Sequence, residues 1–393
     1  MIVMSTASEA KLGFDPARLA RVEEALRQDV ETGFIHGAAM RVSRRGETIL
    51  DFVDGYADKT ADKPLQKDSV FVTMSTGKPF TVVLVLSLVE RGLLRLHSPV
   101  ADIIPEFGKF GKESVNLFHL LTHTSGILGS VPSADPAVLS SIERLTDYAC
   151  NLPLDCLPGE RVNYSMVVAH SVLATMCLRV AGRGRSFAQM LEQDLFHPLG
   201  MRDTSLGPRE DLMSRLCPVR ASQEVPYNLL PGDAVEFLAH GIMLAPGAEL
   251  PAGGYITTID DLHRFAEMLR RGGELNGTRI LSPAMLRLST RNYTGSFRNA
   301  VWDPILSVRG WQPWPAYIGL GFRLRGEGLS PGPFGMMNSA ETFGHFGAGS
   351  SGFWIDPASD LSFSLLTTGL IEESHNLERT AKLADLVMSA LIG

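Results

Sequence analysis

Ser75-Thr76-Gly77-Lys78-Pro79-Phe80-Thr81-Val82-Val83-Leu84-Val85-Leu86-Ser87-Leu88-Val89 is the stretch on which the fold turns. From 75 to 96 apolar residues fall nearly all round the helix this segment would form, and a helix without a polar face belongs in a protein interior. It opens with Ser-x-x-Lys, a spacing that puts a hydroxyl and an ammonium on one helical face within mutual reach. A serine hydroxyl is a poor nucleophile at neutral pH and needs a base beside it. A lysine can be that base when burial lowers its pKa from about 10.4. The apolar run that follows Lys78 would supply such burial. Ser75, at the helix N-terminus, would also find free backbone N–H groups for a developing oxyanion.

Upstream, residues 15–32 read as a helix: Asp15 can cap it, Pro16 suits its first position, and Leu19, Val22, Leu26 and Val30 recur at helical spacing. Two β-like runs follow, 38–43 and 48–53, joined by Arg44-Arg45-Gly46-Glu47 as in a hairpin. Downstream, from about 97 to 290, helical segments alternate with Pro/Gly-bearing loops. Strands return at 317–324, 342–346, 351–355 and 361–367, and a helix over about 376–391 closes the chain. Strands at both ends with helices between them imply one sheet built by the two ends. Tight connections make its pairing antiparallel. The expected fold is α+β: an antiparallel sheet domain from 1–74 plus 290–393, flanked by N- and C-terminal helices, with an inserted mainly helical domain over 75–289. The active site would lie at their interface.

The chain has 393 residues, 45% hydrophobic and 20% charged, with a net charge of −7. That length exceeds the usual size of one core. The negative balance, with no block of like charges, disfavours nucleic acid and anionic membranes as partners. No stretch reaches the roughly 18 apolar residues of a membrane span, and the first residues lack a basic, then apolar, leader pattern. A cytoplasmic location is the expectation. Cys150, Cys156, Cys177 and Cys217 lack C-x-x-C spacing and read as free thiols.

Ser-x-x-Lys alone is a weak signal, expected about once per chain by chance. Ser8-Glu9-Ala10-Lys11 is a second copy near the N-terminus that carries no other mark of function. A second candidate is Asn163-Tyr164-Ser165, where a phenol beside an amine can relay a proton. A third is Gly344-His345-Phe346-Gly347-Ala348-Gly349 on an expected strand, where glycines permit close backbone approach and a backbone N–H could complete an oxyanion hole. Each has a plain structural alternative: a helix cap, a packed tyrosine, a strand bulge.

In order, the three together resemble the serine β-lactamase and penicillin-binding-protein superfamily, most closely the class C β-lactamase-like family VIII carboxylesterases. Leu120-Leu121-Thr122-His123-Thr124-Ser125-Gly126, Gly200-Met201-Arg202-Asp203-Thr204 and Phe353-Trp354-Ile355-Asp356-Pro357 are similar too. The resemblance implies a β-lactamase/transpeptidase-like fold. It gives Ser75 as nucleophile, with Lys78 and Tyr164 as a coupled base pair. The backbone N–H groups of Ser75 and Ala348 match the oxyanion hole, while His345 and Gly347 match the first and third places of K-T-G. Met166 stands where the family's Y-x-N motif has asparagine, and His345 where K-T-G has lysine. Both losses point away from carboxylate-bearing β-lactams and toward a small neutral ester, with no cofactor and no metal. The alternatives are an amidase, D-aminopeptidase or amide-oligomer hydrolase of the same fold, an acyltransferase, or a binding protein that has lost turnover.

Two weaker signals point elsewhere. His119 and His123 are spaced for a shared metal, but Leu120 stands where a zinc protease carries its glutamate, and a structural turn is the better reading. No G-x-S-x-G elbow supports an α/β-hydrolase triad. Trp302, Trp311, Trp314 and Tyr317 cluster before an expected strand, as core or as acyl-pocket lining.

Overall fold

The computed structural model describes residues 12–132, 135–222 and 232–393. Asp15 caps helix α1 (Pro16–Glu31), its carboxylate accepting from the Ala17 and Arg18 amides at 2.9 and 3.2 Å. Strands β1 (Gly37–Arg44) and β2 (Glu47–Asp58) form the expected hairpin. Its two turn residues, Arg45 and Gly46, both have positive φ (54° and 84°), the twist a two-residue hairpin requires. The chain continues through β3 (Lys63–Pro64) and β4 (Phe71–Val72) to the buried helix α2 (Lys78–Glu90). The middle carries α3 (Val168–Ala181), β5 (Ser205–Leu206), β6 (Tyr255–Thr257) and α4 (Ile259–Arg270). A small hairpin, β7 (Glu274–Leu275) with β8 (Thr278–Arg279), precedes β9 (Arg323–Leu324), β10 (Phe343–Gly347), β11 (Ser351–Asp356), β12 (Leu361–Thr368) and α5 (Glu373–Ala390).

Seven strands form one antiparallel sheet in the order β3-β2-β1-β12-β11-β10-β9. The two ends of the chain meet at its centre, where Gly37 pairs with Thr368 and Arg44 with Leu361. Both faces are covered. Met40, Val42, Phe363 and Leu365 pack with Leu19 and Val22 of α1 and Val387 of α5. On the other face Phe265 of α4 meets Phe353 of β11 at 5.7 Å between centroids, and His263 bonds the hydroxyls of Ser43 and Ser364 at 2.7 and 3.1 Å. β12 still alternates, with Leu361, Phe363 and Leu365 in the α1/α5 core and Ser362 and Ser364 bonded to Glu267 and His263 of α4. α4 belongs to the 75–289 stretch, yet it forms a layer on the sheet.

The expected strand 317–324 shrinks to Arg323–Leu324. Tyr317 (φ 46°) and Gly321 (φ 78°) bend the backbone out of extended geometry. Gly321 also lies so close to α2 that a Cβ there would stand 2.3 Å from a Val82 methyl. Packing against α2 overrides local strand propensity. No helix among the described residues is long and apolar enough to cross a membrane. Cys150, Cys156, Cys177 and Cys217 are free thiols.

Candidate active site

Met74–Gly77 form a single 3₁₀ turn leading into α2, so the nucleophile candidate sits just before the helix. Met74, buried and at φ 48°, occupies the left-handed region that a non-glycine residue rarely adopts. Such strain is retained where the surroundings over-determine it, typically at functional turns. Here Thr73 N–H donates to the Tyr255 carbonyl at 2.9 Å and the Thr76 hydroxyl to the Ser351 carbonyl at 3.0 Å, tying the turn to β6 and β11.

Lys78 is 1% exposed, and its Nζ meets the Ala252 carbonyl at 2.7 Å, the Met166 carbonyl at 2.8 Å and Ser75 Oγ at 3.0 Å, with the Tyr164 hydroxyl also bonded to it. A neutral amine has two N–H donors and one lone pair. The two carbonyls can only accept, so they take the donors and leave the lone pair to the hydroxyls of Ser75 and Tyr164. Burial lowers the Lys78 pKa; the Arg323 charge adds to the fall and Tyr164 opposes it.

Tyr164 approaches from the loop before α3. His123 clamps it from both sides: its carbonyl accepts from Asn163 N–H at 2.8 Å, its Nδ1 accepts from Ser165 N–H at 3.2 Å, and its ring lies 4.4 Å from the phenol ring. Lys78 Nζ is 5.2 Å from the centroid of the tyrosine ring. Burial pushes the Tyr164 hydroxyl up, but Lys78 and Arg323, with hydrogen bonding to Ser75 and Lys78, hold it below its ordinary value.

The third motif supplies a wall. A Cβ on Gly347 would stand 2.8 Å from the Ser75 amide nitrogen and 2.7 Å from that of Thr76, so only glycine lets the end of β10 approach this turn. Gly347 and Ala348 line the cleft together with Ser75, Tyr164 and Met166. His345 does not. It is buried, its Nδ1 donates to the Phe346 carbonyl at 2.8 Å, and its ring stands 6.4 Å from Tyr164. Burial first, then Arg323 and Lys78, hold it well below its usual pKa, so it is neutral. Its side chain thus lies outside the lining of the cleft, where the sequence led us to expect a substrate contact.

Arg323 on β9 is the residue that sequence reading missed. Its guanidinium carbon lies 4.6, 4.8 and 5.8 Å from the ring centroids of Tyr164, Phe346 and Trp302. The site therefore holds a permanent cation beside Lys78 although K-T-G lacks its lysine. No local pattern marks it, because its place follows from β9 pairing Arg323 with Gly344, next to His345. Glu373, which also lines the cleft, is pushed up to about 7 by burial against the pull of Arg323.

The cleft encloses about 1000 Å³, open mouth included, and is mainly apolar, with Val131, Val235, Leu238, Met243, Trp302 and Leu370 around the polar cluster. Trp302 thus lines it, while Trp314 and Tyr317 line a neighbouring cavity. His119 serves a short helix as part of its capping box. Ser8 and Lys11 lie outside the described residues.

The family model described as Beta-lactamase matches residues 22–387. Esterase EstB of Burkholderia gladioli is 31% identical over 286 residues, covering 65% of this chain and 71% of its own. Esterase/beta-lactamase LipL of Mycobacterium tuberculosis is 26% identical over 355 residues, covering 85% and 77%. The crystal structure of a family VIII carboxylesterase superposes with a TM-score of 0.75 at 23% identity over 95% of this chain and 98% of that one. A penicillin-binding-protein homologue from Caulobacter crescentus reaches 0.80 at 24% identity over 96% and 99%.

Proposed function

This chain belongs to the beta-lactamase family, and from that premise we propose that it is a carboxylesterase that hydrolyses neutral esters through an acyl-enzyme on Ser75. One observation carries the reading. The Lys78 amine is held by two carbonyls so that its remaining vertex meets Ser75 Oγ at 3.0 Å, at the polar end of an apolar cleft. As Oγ attacks the ester carbonyl, the Lys78–Tyr164 pair takes its proton. The N–H groups of Ser75 and Ala348 receive the oxyanion. Collapse breaks the C–O bond, and the proton passes through Tyr164 to the departing alkoxide. A water, deprotonated by the same pair, then attacks the acyl-Ser75 ester and restores the hydroxyl.

EstB is named an esterase and LipL an esterase/beta-lactamase, which supports ester turnover and leaves lactam turnover to be measured. An amidase of the same fold is the second reading. Glu373 favours it, because it lines the cleft and a substrate ammonium would draw it to its carboxylate form. The test is intact-mass and peptide mapping after treatment with a serine-directed phosphonate, alongside ester, amide and β-lactam panels. A single adduct on Ser75, ester turnover and its loss in Ser75→Ala are expected. An adduct on Ser125 instead, or amides outrunning esters, overturns the proposal.

A further inference from the structure

The lining of the catalytic cleft sets one base against one acid. Among the described residues, two charged side chains line it, Arg323 from β9 and Glu373 from the first turn of α5. Both belong to the cavity that holds Ser75. The Tyr164 hydroxyl bonds Ser75, and the ring of the same tyrosine lies 4.6 Å from the Arg323 guanidinium carbon. The cation therefore stands one phenol ring away from the nucleophile.

Helix capping decides which of two consecutive glutamates faces the cleft. The Glu372 carboxylate accepts from the Ser374 and His375 amides at 3.0 and 3.1 Å and from the Ser374 hydroxyl, so it is occupied in starting α5. Glu373 is left to the cleft. One turn on, Leu377 packs with Trp302 and Phe346. Residues four apart share a helical face, so Glu373 is set beside the two rings that the Arg323 guanidinium approaches to 5.8 and 4.8 Å. Arg323 draws Glu373 toward its carboxylate form, while burial and Glu372 oppose this and leave its pKa at about 7. His375, on the same helix, sits against the Phe34 ring and the Glu372 carboxylate. Lys78, Tyr164 and His345 stand within charge reach of Arg323.

We infer that Glu373 is the specificity-determining acid of the cleft: its carboxylate offsets the Arg323 charge and so denies that cation to an anionic group on the substrate. An uncompensated guanidinium in an apolar cleft would capture a substrate carboxylate, because charge-assisted contacts strengthen out of water. With Glu373 ionised, the wall is neutral as a whole and a second carboxylate is repelled. With Glu373 protonated, the guanidinium is uncovered. A neutral ester has no charge for either state to act on. This rests on the esterase reading and supplies the reason for its neutral substrates.

The test compares kcat/KM for monoethyl adipate and ethyl hexanoate, which differ by a carboxylate in place of a methyl group. The adipate carboxyl stays ionised from pH 6 to 8, since ordinary carboxyls titrate at about 4. Titration of the catalytic base cancels in the ratio of the two rates. In wild type the adipate-over-hexanoate ratio should climb as pH falls from 8 to 6. Glu373→Gln should raise it at pH 8 by about tenfold or more and make it flat over this range. Glu373→Asp, which keeps the charge, should retain the wild-type ratio at pH 8. A ratio flat with pH in wild type, or one unchanged by Glu373→Gln in a variant that melts normally, overturns the proposal. The wild-type arm needs no substitution, so it decides the matter even if a variant fails to fold. If wild type cleaves neither ester, the esterase reading fails, and calorimetric titration of wild type with 6-amino-6-oxohexanoate and hexanamide decides the role of Glu373 separately. A preference for the anion that is stronger at pH 6 than at pH 8 supports it; an equal preference at both, or no binding of either compound, overturns it.

Discussion

The guanidinium carbon of Arg323 lies 4.6 Å from the centroid of the Tyr164 ring, so the phenol is close to this cation as well as to Lys78, whose Nζ is 5.2 Å from the same point. The arginine comes from the strand next to β10 and supplies a positive charge that His345, being neutral, does not.

Arg323 lowers the pKa of both Lys78 and Tyr164. Arg323→Gln should therefore raise both, so more alkali is needed to free the base. The rising limb of kcat/KM against pH, measured with a neutral ester, should move to higher pH, and activity at pH 7 should fall by about 10- to 100-fold. Arg323→Lys should restore part of both. A limb that stays in place in Arg323→Gln would leave this arginine a purely structural role.

Lys78 should be replaceable by nothing that cannot lose a proton. Lys78→Met leaves the Met166 and Ala252 carbonyls without their donor, at about 1–3 kcal/mol each. Lys78→Arg keeps donors and charge but cannot act as a base. Both should reduce kcat by about 10³-fold or more, measured by single-turnover acylation. In wild type the activity should already climb below pH 10.5, the ordinary lysine value, because burial lowers the Lys78 pKa. Appreciable turnover by Lys78→Arg would move the base role to Tyr164 alone.

Restoring the family's lysine by His345→Lys should not create a carboxylate-binding site. His345 lies outside the cleft lining and is buried near two cations. A further cation there is desolvated and repelled, a burden of about 3 kcal/mol or more. The expected outcome is a lower Tm, weaker ester turnover and no gain in cephalosporin hydrolysis. A stable variant with new cephalosporin activity would mean that the position does face substrate.

Elements with local signals were legible in the sequence. Asp15 and Pro16 marked α1, Arg45-Gly46 marked the hairpin, and strands at both chain ends implied the shared sheet. Ser75, Lys78 and Tyr164 were found because three motifs occur in a fixed order, although each alone is common. Arg323 and Glu373 had no such order, and only strand pairing and the start of α5 bring them to the cleft. The 317–324 strand failed for the same reason: the approach of Gly321 to Val82 is a tertiary contact with no local signature. Met74 carries no sign of its left-handed backbone, since methionine is not a residue that favours it.

The last prediction concerns stability. His263 is buried between the hydroxyls of Ser43 and Ser364, and burial lowers its pKa from 6.5 to about 4. Between those values the unfolded chain binds a proton that the folded chain refuses, so stability rises with pH across this window and is fully present above 6.5. As pH falls from 6.5 toward 4 the contribution is lost, about 3 kcal/mol in all at 1.36 kcal/mol per pKa unit. Asp261, on the same helix, has the opposite sign. Burial raises its carboxyl from 3.8 to about 6, so protonation there stabilises the fold as pH drops. The net acid dependence mixes the two, and the comparison must isolate the imidazole. His263→Gln keeps hydrogen-bonding groups between Ser43 and Ser364 without a titrating proton. Urea unfolding at pH 7 and pH 4.5 should show wild type losing about 2–3 kcal/mol more than His263→Gln over that interval. Parallel losses in the two proteins would show that this histidine titrates normally in the fold.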